Sequence, residues 1–324
     1  MKLGIIVIEI TNNCNLKCRY CSLGKTNGSD MDIKKCEHIF NVIAKYNPET
    51  VVLSGGEPLM HHHFMEILTL AAAIFGNVGI TTNGTLVTKR HIDLFKSLLN
   101  VSVQISIDGT EKIHDMMRGS GTYKLVKQNI ERLLLMGIGV HTMTVLTKEN
   151  IYLIDKMVEE ITTLGVSKIA FERFTAVGNG EQISNQTLGP KELKWLSRHL
   201  EENGFYNGKV FINDPIINLQ KFNSNYKQRY LYLPCAGCFA GVKNFAIDIA
   251  GYVRPCTRIP IKLCEIDDFS FDNLVNNRTF QRLFIRNLNC KCNMCKDIML
   301  CGGCRAEAYA KNGDIFGADE GCWF

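Results

Sequence analysis

The chain has 324 residues, of which 46% are hydrophobic and 21% charged, with a formal net charge of +5. This composition is ordinary for a globular chain, and the length favours two domains. The longest apolar stretches, such as residues 67–75, are shorter than the roughly 18–20 residues of a membrane span, and the N-terminus lacks a signal-peptide cleavage site. Lysine and arginine are dispersed rather than clustered, which disfavours nucleic-acid binding. We therefore expect a cytoplasmic protein without a membrane segment.

The cysteines are numerous and unevenly placed. Four of the fourteen lie in the first 36 residues, none lies between Cys36 and Cys235, and ten lie in the last 90. Because cytosolic thiols are kept reduced, this number indicates metal binding or catalysis rather than a disulfide framework. The distribution predicts metal binding at both ends of the chain.

The first half of the chain alternates β-rich runs with stretches of helical periodicity. Strands are predicted at 3–10, 50–53, 78–81, 101–106, 140–146 and 168–172, and helices at 33–46, 63–75, 89–98, 123–136 and 151–164. This alternation predicts a parallel sheet with right-handed crossovers, in an open or a closed barrel. In either case reactive groups gather at the C-terminal ends of the strands.

Those strand ends carry the distinctive residues. Cys14, Cys18 and Cys21 follow the first strand, and three thiolates this close can ligate one metal centre and leave a position open. The next three strands end in Ser-Gly-Gly-Glu-Pro at 54–58, Thr-Thr-Asn-Gly at 81–84 and Ser-Ile-Asp-Gly at 106–109. Each of these last three motifs could be an ordinary turn. Their succession favours a binding site.

Together these four motifs resemble the radical S-adenosylmethionine (SAM) superfamily over residues 3–175. The resemblance implies an α/β fold, a partial (β/α)6 TIM-like barrel. It also implies that a [4Fe-4S] cluster cleaves SAM reductively to methionine and a 5′-deoxyadenosyl radical, which abstracts a substrate hydrogen.

The same resemblance suggests a role for each motif residue. Cys14, Cys18 and Cys21 match the cluster ligands, and Tyr20 matches the aromatic residue beside the adenine. The residues matching the other SAM contacts are Gly55, Gly56 and Glu57 for the methionine ammonium, and Ser106 and Arg118 for the ribose and the carboxylate. Asn83 and Asp108 also match SAM contacts, but the alternative for both is that they only shape their turns. The alternative for Arg118 is a surface salt bridge. Arg173 and the glycine-rich turn at 178–180 are candidate lining features.

The remaining chain is divided into a bridging region and a cysteine-rich domain. We place the barrel at 1–180, a bridge at 181–234 with a helix at 190–202, and a cluster-binding domain at 235–324. The C-terminal cysteines resemble the SPASM extension of radical SAM enzymes, with two residues between Cys301 and Cys304 where the family usually has three.

That second resemblance implies two auxiliary [4Fe-4S] clusters. It assigns Cys238, Cys256 and Cys304 to the first cluster, with Cys235 preferred as fourth ligand and an open iron as the alternative. It assigns Cys292, Cys295, Cys301 and Cys322 to the second. Cys264 and Cys290 are alternative ligands, structural zinc is the alternative metal, and Cys36 is predicted to be a core thiol.

The resemblance favours an enzyme that modifies a peptide or protein by crosslinking, thioether formation, epimerisation or oxidation. A flavodoxin or ferredoxin would supply electrons, and a separate carrier could bind a leader peptide. Thr257 stands where sulfatase maturases have a catalytic Asp, which disfavours that activity. The alternatives are an enzyme of small-molecule or tetrapyrrole (haem-pathway) chemistry and a non-catalytic electron-transfer protein.

Overall fold

The computed structural model describes residues 3–24, 27–205, 208–221 and 237–324. Ten strands form one sheet. They are β1 (Ile5–Thr11), β2 (Thr50–Gly55), β3 (Val78–Thr82), β4 (Val101–Ser106), β5 (Val140–Leu146), β6 (Lys168–Arg173), β7 (Val210–Asn213), β8 (Phe245–Ile247), β9 (Tyr252–Arg254) and β10 (Cys264–Glu265). The strand order is β10-β9-β8-β1-β2-β3-β4-β5-β6-β7.

Strands β1 to β7 run parallel to their neighbours, and β8 adds to the free side of β1, also in parallel. Strands β9 and β10 then continue antiparallel. The C-terminal part of the chain therefore extends the same sheet that the N-terminal part begins.

Helices follow the strands along the chain. They are α1 (Ile33–Ala44), α2 (Phe64–Ile74), α3 (Lys89–Ser97), α4 (Glu111–Arg118), α5 (Thr122–Leu135), α6 (Ile154–Thr163), α7 (Pro190–Glu202), α8 (Pro215–Lys221), α9 (Phe271–Asn276), α10 (Arg278–Phe284) and α11 (Arg305–Asn312). Short 3-10 helices lie at Pro58–Met60, Ile151–Leu153, Gly178–Gln186, Ile266–Asp268 and Lys291–Met294. Within the described residues, no helix combines the length and apolarity needed to cross a membrane.

Strand β1 shows how the sheet separates a core from a cavity. Ile6, Ile8 and Ile10 are buried in the main hydrophobic core, which also contains the α1 thiol of Cys36. Val7, on the opposite face, lines the central cavity. Successive strand residues point to opposite faces, so a strand buried on both faces reads as a continuous apolar run. The predicted core position of Cys36 is confirmed.

The predicted α/β architecture is confirmed, with every predicted strand present to within two residues at each end. The predicted helix at 190–202 coincides with α7, whereas the one at 151–164 begins with a 3-10 turn before α6. Helix α4 and strand β7 were not predicted. The bridging region is thus more than a linker, because the Val-Phe-Ile run at 210–212 pairs with β6. The domain boundaries at 180 and 234 stay a prediction.

Candidate active site

A cavity of about 350 Å³ opens at the carboxyl ends of the parallel strands, where the Cys14–Cys21 loop follows β1. It brings together nine of the predicted residues. They are Cys14, Cys18, Cys21, Tyr20, Gly55, Gly56, Asn83, Ser106 and Arg118. Glu57 and Asp108 lie behind this lining and are fully buried. None of the described cysteines forms a disulfide, so the three loop thiols are available as ligands.

The cysteine loop is fixed to the end of β2 through backbone. Gly56 N donates to Thr11 O at 2.7 Å, and Glu57 N donates to Asn13 O at 2.7 Å. A Cβ atom on Gly56 would overlap the carbonyl of Asn13. The glycine pair therefore lets two backbone segments touch, and this contact positions the loop without any metal.

Glu57 serves the protein scaffold in this structure. Its carboxylate accepts from Thr82 Oγ1 at 2.6 Å, Asn83 N at 2.7 Å and Leu59 N at 3.2 Å. Burial raises its pKa, and these three donors oppose the rise. These three hydrogen bonds join the end of β2 to the end of β3. The contact of Glu57 with the SAM ammonium stays a prediction.

Asn83 connects the end of β3 to the cysteine loop. Its Nδ2 donates to Asn15 Oδ1 at 2.9 Å and lies 4.0 Å from Cys14 Sγ. Asn15 in turn donates to Thr85 Oγ1 at 2.9 Å. Asn83 does more than shape its own turn, since it holds the segment that follows the first cysteine.

Asp108 organises the opposite wall. Arg118 Nε donates to Asp108 Oδ2 at 2.6 Å, and the Tyr20 hydroxyl donates to the same oxygen. The Arg118 guanidinium also lies 5.3 Å from the centre of the Tyr20 ring. Burial has the largest single effect on the pKa of Asp108 and raises it, but the charge of Arg118 and the hydrogen bonds from Arg118 and Tyr20 together hold the pKa below its ordinary value. Arg118 is thus a buried, charged group that faces the cavity, and the surface-pair alternative is wrong.

The far wall of the cavity comes from β6 and the C-terminal region. Glu172, Arg173, Thr257 and Arg258 line it. Arg258 donates to Arg173 O at 3.3 Å and to Thr175 Oγ1 at 3.4 Å, and its Nη2 lies 3.9 Å from Glu172 Oε2. Sequence reasoning did not select Glu172 or Arg258, because no local motif relates two positions so far apart in the chain.

Arg173 connects this wall to the cysteine-rich region. Its Nε lies 2.9 Å from Asp214 Oδ2, and its two Nη atoms donate to Asp319 at 3.0 and 2.7 Å. Asp319 also accepts from Cys304 N at 2.7 Å. All three charged groups are buried. The predicted lining residue Arg173 is therefore also a structural link, which its sequence context does not reveal.

Four C-terminal cysteines share a second cavity. Cys292, Cys295, Cys301 and Cys322 line a largely apolar space of about 240 Å³. Four cysteine thiolates are the number of ligands that a [4Fe-4S] cluster requires. The structure thus brings together the four cysteines assigned to the second auxiliary cluster.

The other assigned cysteines are related in pairs. Burial raises the pKa of Cys304 to about 12, and the neighbouring Cys238 thiol adds to the rise. Arg258 is within hydrogen-bonding reach of Cys256, and the charge of Cys304 also raises the pKa of Arg258. Cys304 therefore lies near Cys238, and Arg258 lies near both Cys256 and Cys304. Cys235 lies outside the described residues.

The two alternative ligands differ in position. Cys264 is in β10 and packs against the main core. Cys290 lies beside Cys292, where its thiol raises the pKa of Cys292 in addition to the larger effect of burial. Cys290 is thus the one of the two that the structure places at a predicted cluster ligand.

Comparison with known proteins agrees with this geometry. Residues 8–161 match the Radical SAM superfamily. The AdoMet-dependent heme synthase of Methanosarcina barkeri is 25% identical over 98% of this chain and 95% of its own length. The subtilosin biosynthesis protein AlbA of Bacillus subtilis is 26% identical over 94% of this chain and 67% of its own length.

The fold is shared with solved structures. Streptococcus suis SuiB bound to its precursor peptide SuiA superposes with a TM-score of 0.79 at 17% identity, over 100% of this chain and 76% of SuiB. The family implies a [4Fe-4S] cluster and SAM, and the three thiols on one open cavity fit that requirement. Residues 8–161 form a radical SAM domain, and the protein is an enzyme.

Proposed function

We propose that the enzyme abstracts a hydrogen atom from a peptide or protein side chain and so modifies it after translation. The observation that carries this proposal is the size of the cavity, about 350 Å³, which lies near the lower limit of small-molecule pockets. Once SAM lies beside the cysteine loop, the remaining space suits a side chain better than a macrocycle. The names of relatives such as AlbA support the same reading.

The lining residues have distinct roles in this proposal. Cys14, Cys18 and Cys21 hold the cluster, which when bound supplies the electron that cleaves SAM. Arg118 binds the SAM carboxylate, since its planar fork can donate two parallel hydrogen bonds. Asp108 fixes the guanidinium of Arg118 and the ring of Tyr20.

The remaining predicted SAM contacts divide into two kinds. Ser106 and the backbone of Gly55 and Gly56 line the cavity and contact SAM directly. Glu57 and Asn83 act one layer further out, because their side chains hold the loops that carry the cysteines. Such outer contacts set the orientation of metal ligands.

The C-terminal cysteines hold two auxiliary clusters in this proposal. Cys238, Cys256 and Cys304 hold the first, completed by Cys235 or left with an open iron. Cys292, Cys295, Cys301 and Cys322 hold the second. A substrate radical that gives an oxidised product must lose an electron, and these centres accept it. Glu172 takes the proton, because it carries the sole carboxylate among the cavity-lining residues that the structure describes.

The test of the chemistry is SAM cleavage by anaerobically reconstituted enzyme. With dithionite as reductant, the wild type should release 5′-deoxyadenosine and methionine, and C18A should release none. The matched control is C36A, which removes a core thiol away from the cavity and should retain cleavage. The three-cluster assignment predicts about twelve iron atoms per chain. About four iron atoms with bound zinc would contradict the auxiliary clusters.

The substrate class needs a separate test. Perdeuterated candidate peptides should transfer deuterium into 5′-deoxyadenosine if a peptide is the hydrogen donor. Tetrapyrrole chemistry is the second candidate, because the haem synthase relative matches over nearly its whole length. Transfer from a deuterated porphyrin, with none from any peptide, would favour that candidate. A flavodoxin or ferredoxin as donor, and a separate leader-binding carrier, complete the proposal.

A further inference from the structure

The glycine-rich turn at 178–180 contacts the cysteine loop through its backbone. Asn179 N donates to Cys21 O at 2.9 Å. Gly178 has a φ of +60°, and a Cβ atom on it would lie 2.5 Å from Ser22 O and 2.7 Å from Cys21 O. None of the three turn residues is among those that line the central cavity. The turn after β6 therefore touches the carbonyl of the third loop cysteine without forming part of the cavity wall.

The second half of the cysteine loop has two further attachments. Arg19 N donates to Met117 O, in α4, at 2.9 Å. Tyr20 packs against a small apolar cluster that includes Met117 and Phe174 and is separate from the main core. Because Phe174 directly follows β6, the same part of the chain contacts both Tyr20 and Cys21.

The first and the third cysteine are thus held by different strands of the barrel. Cys14 is in the half of the loop that is attached to the end of β2, where Glu57 N donates to Asn13 O. Cys21 is in the half that is attached to the segment after β6. The ligands of one centre must be held within roughly 0.5 Å of the productive geometry. A Cβ atom on Gly178 would exceed this tolerance, because atoms 2.5 Å apart lie roughly 1 Å inside an ordinary contact.

We propose that Gly178 and Asn179 are positioning residues for the thiol of Cys21. The hydrogen bond from Asn179 N fixes the backbone of Cys21, and the lack of a side chain on Gly178 lets the turn approach closely enough to form it. The turn thereby sets the position of the third thiol relative to Cys14 and Cys18, and with it the geometry in which SAM meets the metal centre. This assignment rests on the ligand role of the three thiols in the proposed function.

The first test compares two glycine variants of the reconstituted holoenzyme. G178A adds a Cβ atom against the loop, whereas G137A adds one at a glycine with a φ of +79° where no atom lies within 4 Å. Both variants carry the strain of a left-handed backbone, so G137A controls for that strain.

G178A should lower the release of 5′-deoxyadenosine with dithionite at least roughly tenfold. It should also alter the part of the electron paramagnetic resonance spectrum that responds to SAM, and G137A should do neither. Equal results for the two variants would overturn the proposal. An equal loss of all cluster signals in G178A would also overturn it, because that result would indicate a general structural role.

A second measurement uses the metal-free wild type and so does not depend on the folding of a variant or on the clusters. Hydrogen exchange resolved to single amides should show that the N–H of Asn179 is protected. Exchange of this amide as fast as in an exposed loop would overturn the proposal. A wild type that released no 5′-deoxyadenosine would instead contradict the proposed function, whereas equal release by wild type and G178A would contradict the positioning role alone.

Discussion

The cysteine loop of the barrel and the cysteine-rich C-terminal region offer the same ligand but are constructed differently. The barrel loop follows a seven-residue strand and is held by backbone hydrogen bonds to its neighbours. The C-terminal strands β8, β9 and β10 have three, three and two residues, and helices α9 to α11 have six, seven and eight. The strand before the barrel loop is thus long, whereas the strands and helices of the C-terminal region are short.

This difference indicates two ways of making a metal site. In the barrel, the protein's own core and hydrogen bonds position the thiols. In the C-terminal region, four thiols from distant positions converge on one shared cavity, and in the proposed function the binding of a cluster there contributes directly to the folding free energy. Two buried ion pairs join the regions, Arg173 with Asp319 and Glu9 with Arg254. The C-terminal region is therefore joined to the barrel by the pairing of β8 with β1 and by these two ion pairs, and in the proposed function its cysteine-bearing loops depend on the clusters.

The most extensive effect, which combines the loss of a cluster with local opening of the chain, should follow from removing one C-terminal ligand. C295A should lose the second auxiliary cluster and make the segment after residue 237 at least roughly tenfold more sensitive to limited proteolysis, equivalent to about 1.4 kcal/mol of opening free energy. The barrel should stay resistant, because its core does not include these thiols. Iron analysis and the proteolysis rate measure both effects.

The matched control for this variant is C264A. Cys264 is half-buried in the same region but packs against the core instead of facing either thiol group. It should retain the wild-type iron content and proteolysis rate. If C295A and C264A behaved alike, the C-terminal region would not depend on its ligands, and the contrast with the barrel would fail.

A narrower effect, confined to the barrel, is expected from D108N. The variant leaves the Arg118 charge buried without its partner, which typically costs about 3–5 kcal/mol. Denaturant unfolding should show this loss, and SAM binding should weaken because Arg118 and Tyr20 are no longer fixed. E111Q is the control, since Glu111 pairs with Lys124 on the surface and such pairs contribute about 1 kcal/mol or less. Equal losses in the two variants would contradict an organising role for Asp108.

The sequence was most informative where structure depends on neighbouring residues. Hydrophobic periodicity located the six strands of the barrel, and short motifs located the loops at their ends, because both signals extend over a few positions. The strands and loops could be predicted because each is encoded locally. The four thiols that share one cavity were assigned to one cluster by the resemblance to the SPASM extension, because their spacing alone does not group them.

The sequence was least informative about contacts between distant positions. The pair of Arg173 and Asp319 joins residues 146 positions apart, and neither residue lies in a motif that names its partner. Glu57 was predicted from its motif to contact SAM, whereas the direction of its carboxylate depends on Thr82 and Asn83. The bridging strand β7 was missed because four residues give a weak periodic signal.

The smallest of the expected effects concerns pH and belongs to the barrel alone. His114 is buried behind Asp108, and its Nδ1 accepts from Asp108 N at 3.1 Å. Burial lowers its pKa to about 4, although Asp108 opposes this shift. The pKa in the unfolded chain is about 6.5. As the pH falls below about 6.5, the unfolded chain therefore gains a proton that the folded chain does not bind, and stability decreases.

Lowering the pH from 7.5 to 5.5 should therefore remove about 1.4 kcal/mol of folding free energy through His114. H114Q should lack this contribution, whereas H62Q, which changes an exposed histidine, should keep it. Denaturant unfolding of the anaerobic holoenzyme at both pH values measures the difference. Because His114 lies in the barrel, the pH-dependent loss should occur in the barrel transition and leave the proteolysis rate of the C-terminal segment unchanged. A wild-type pH dependence in H114Q would show that the loss originates elsewhere.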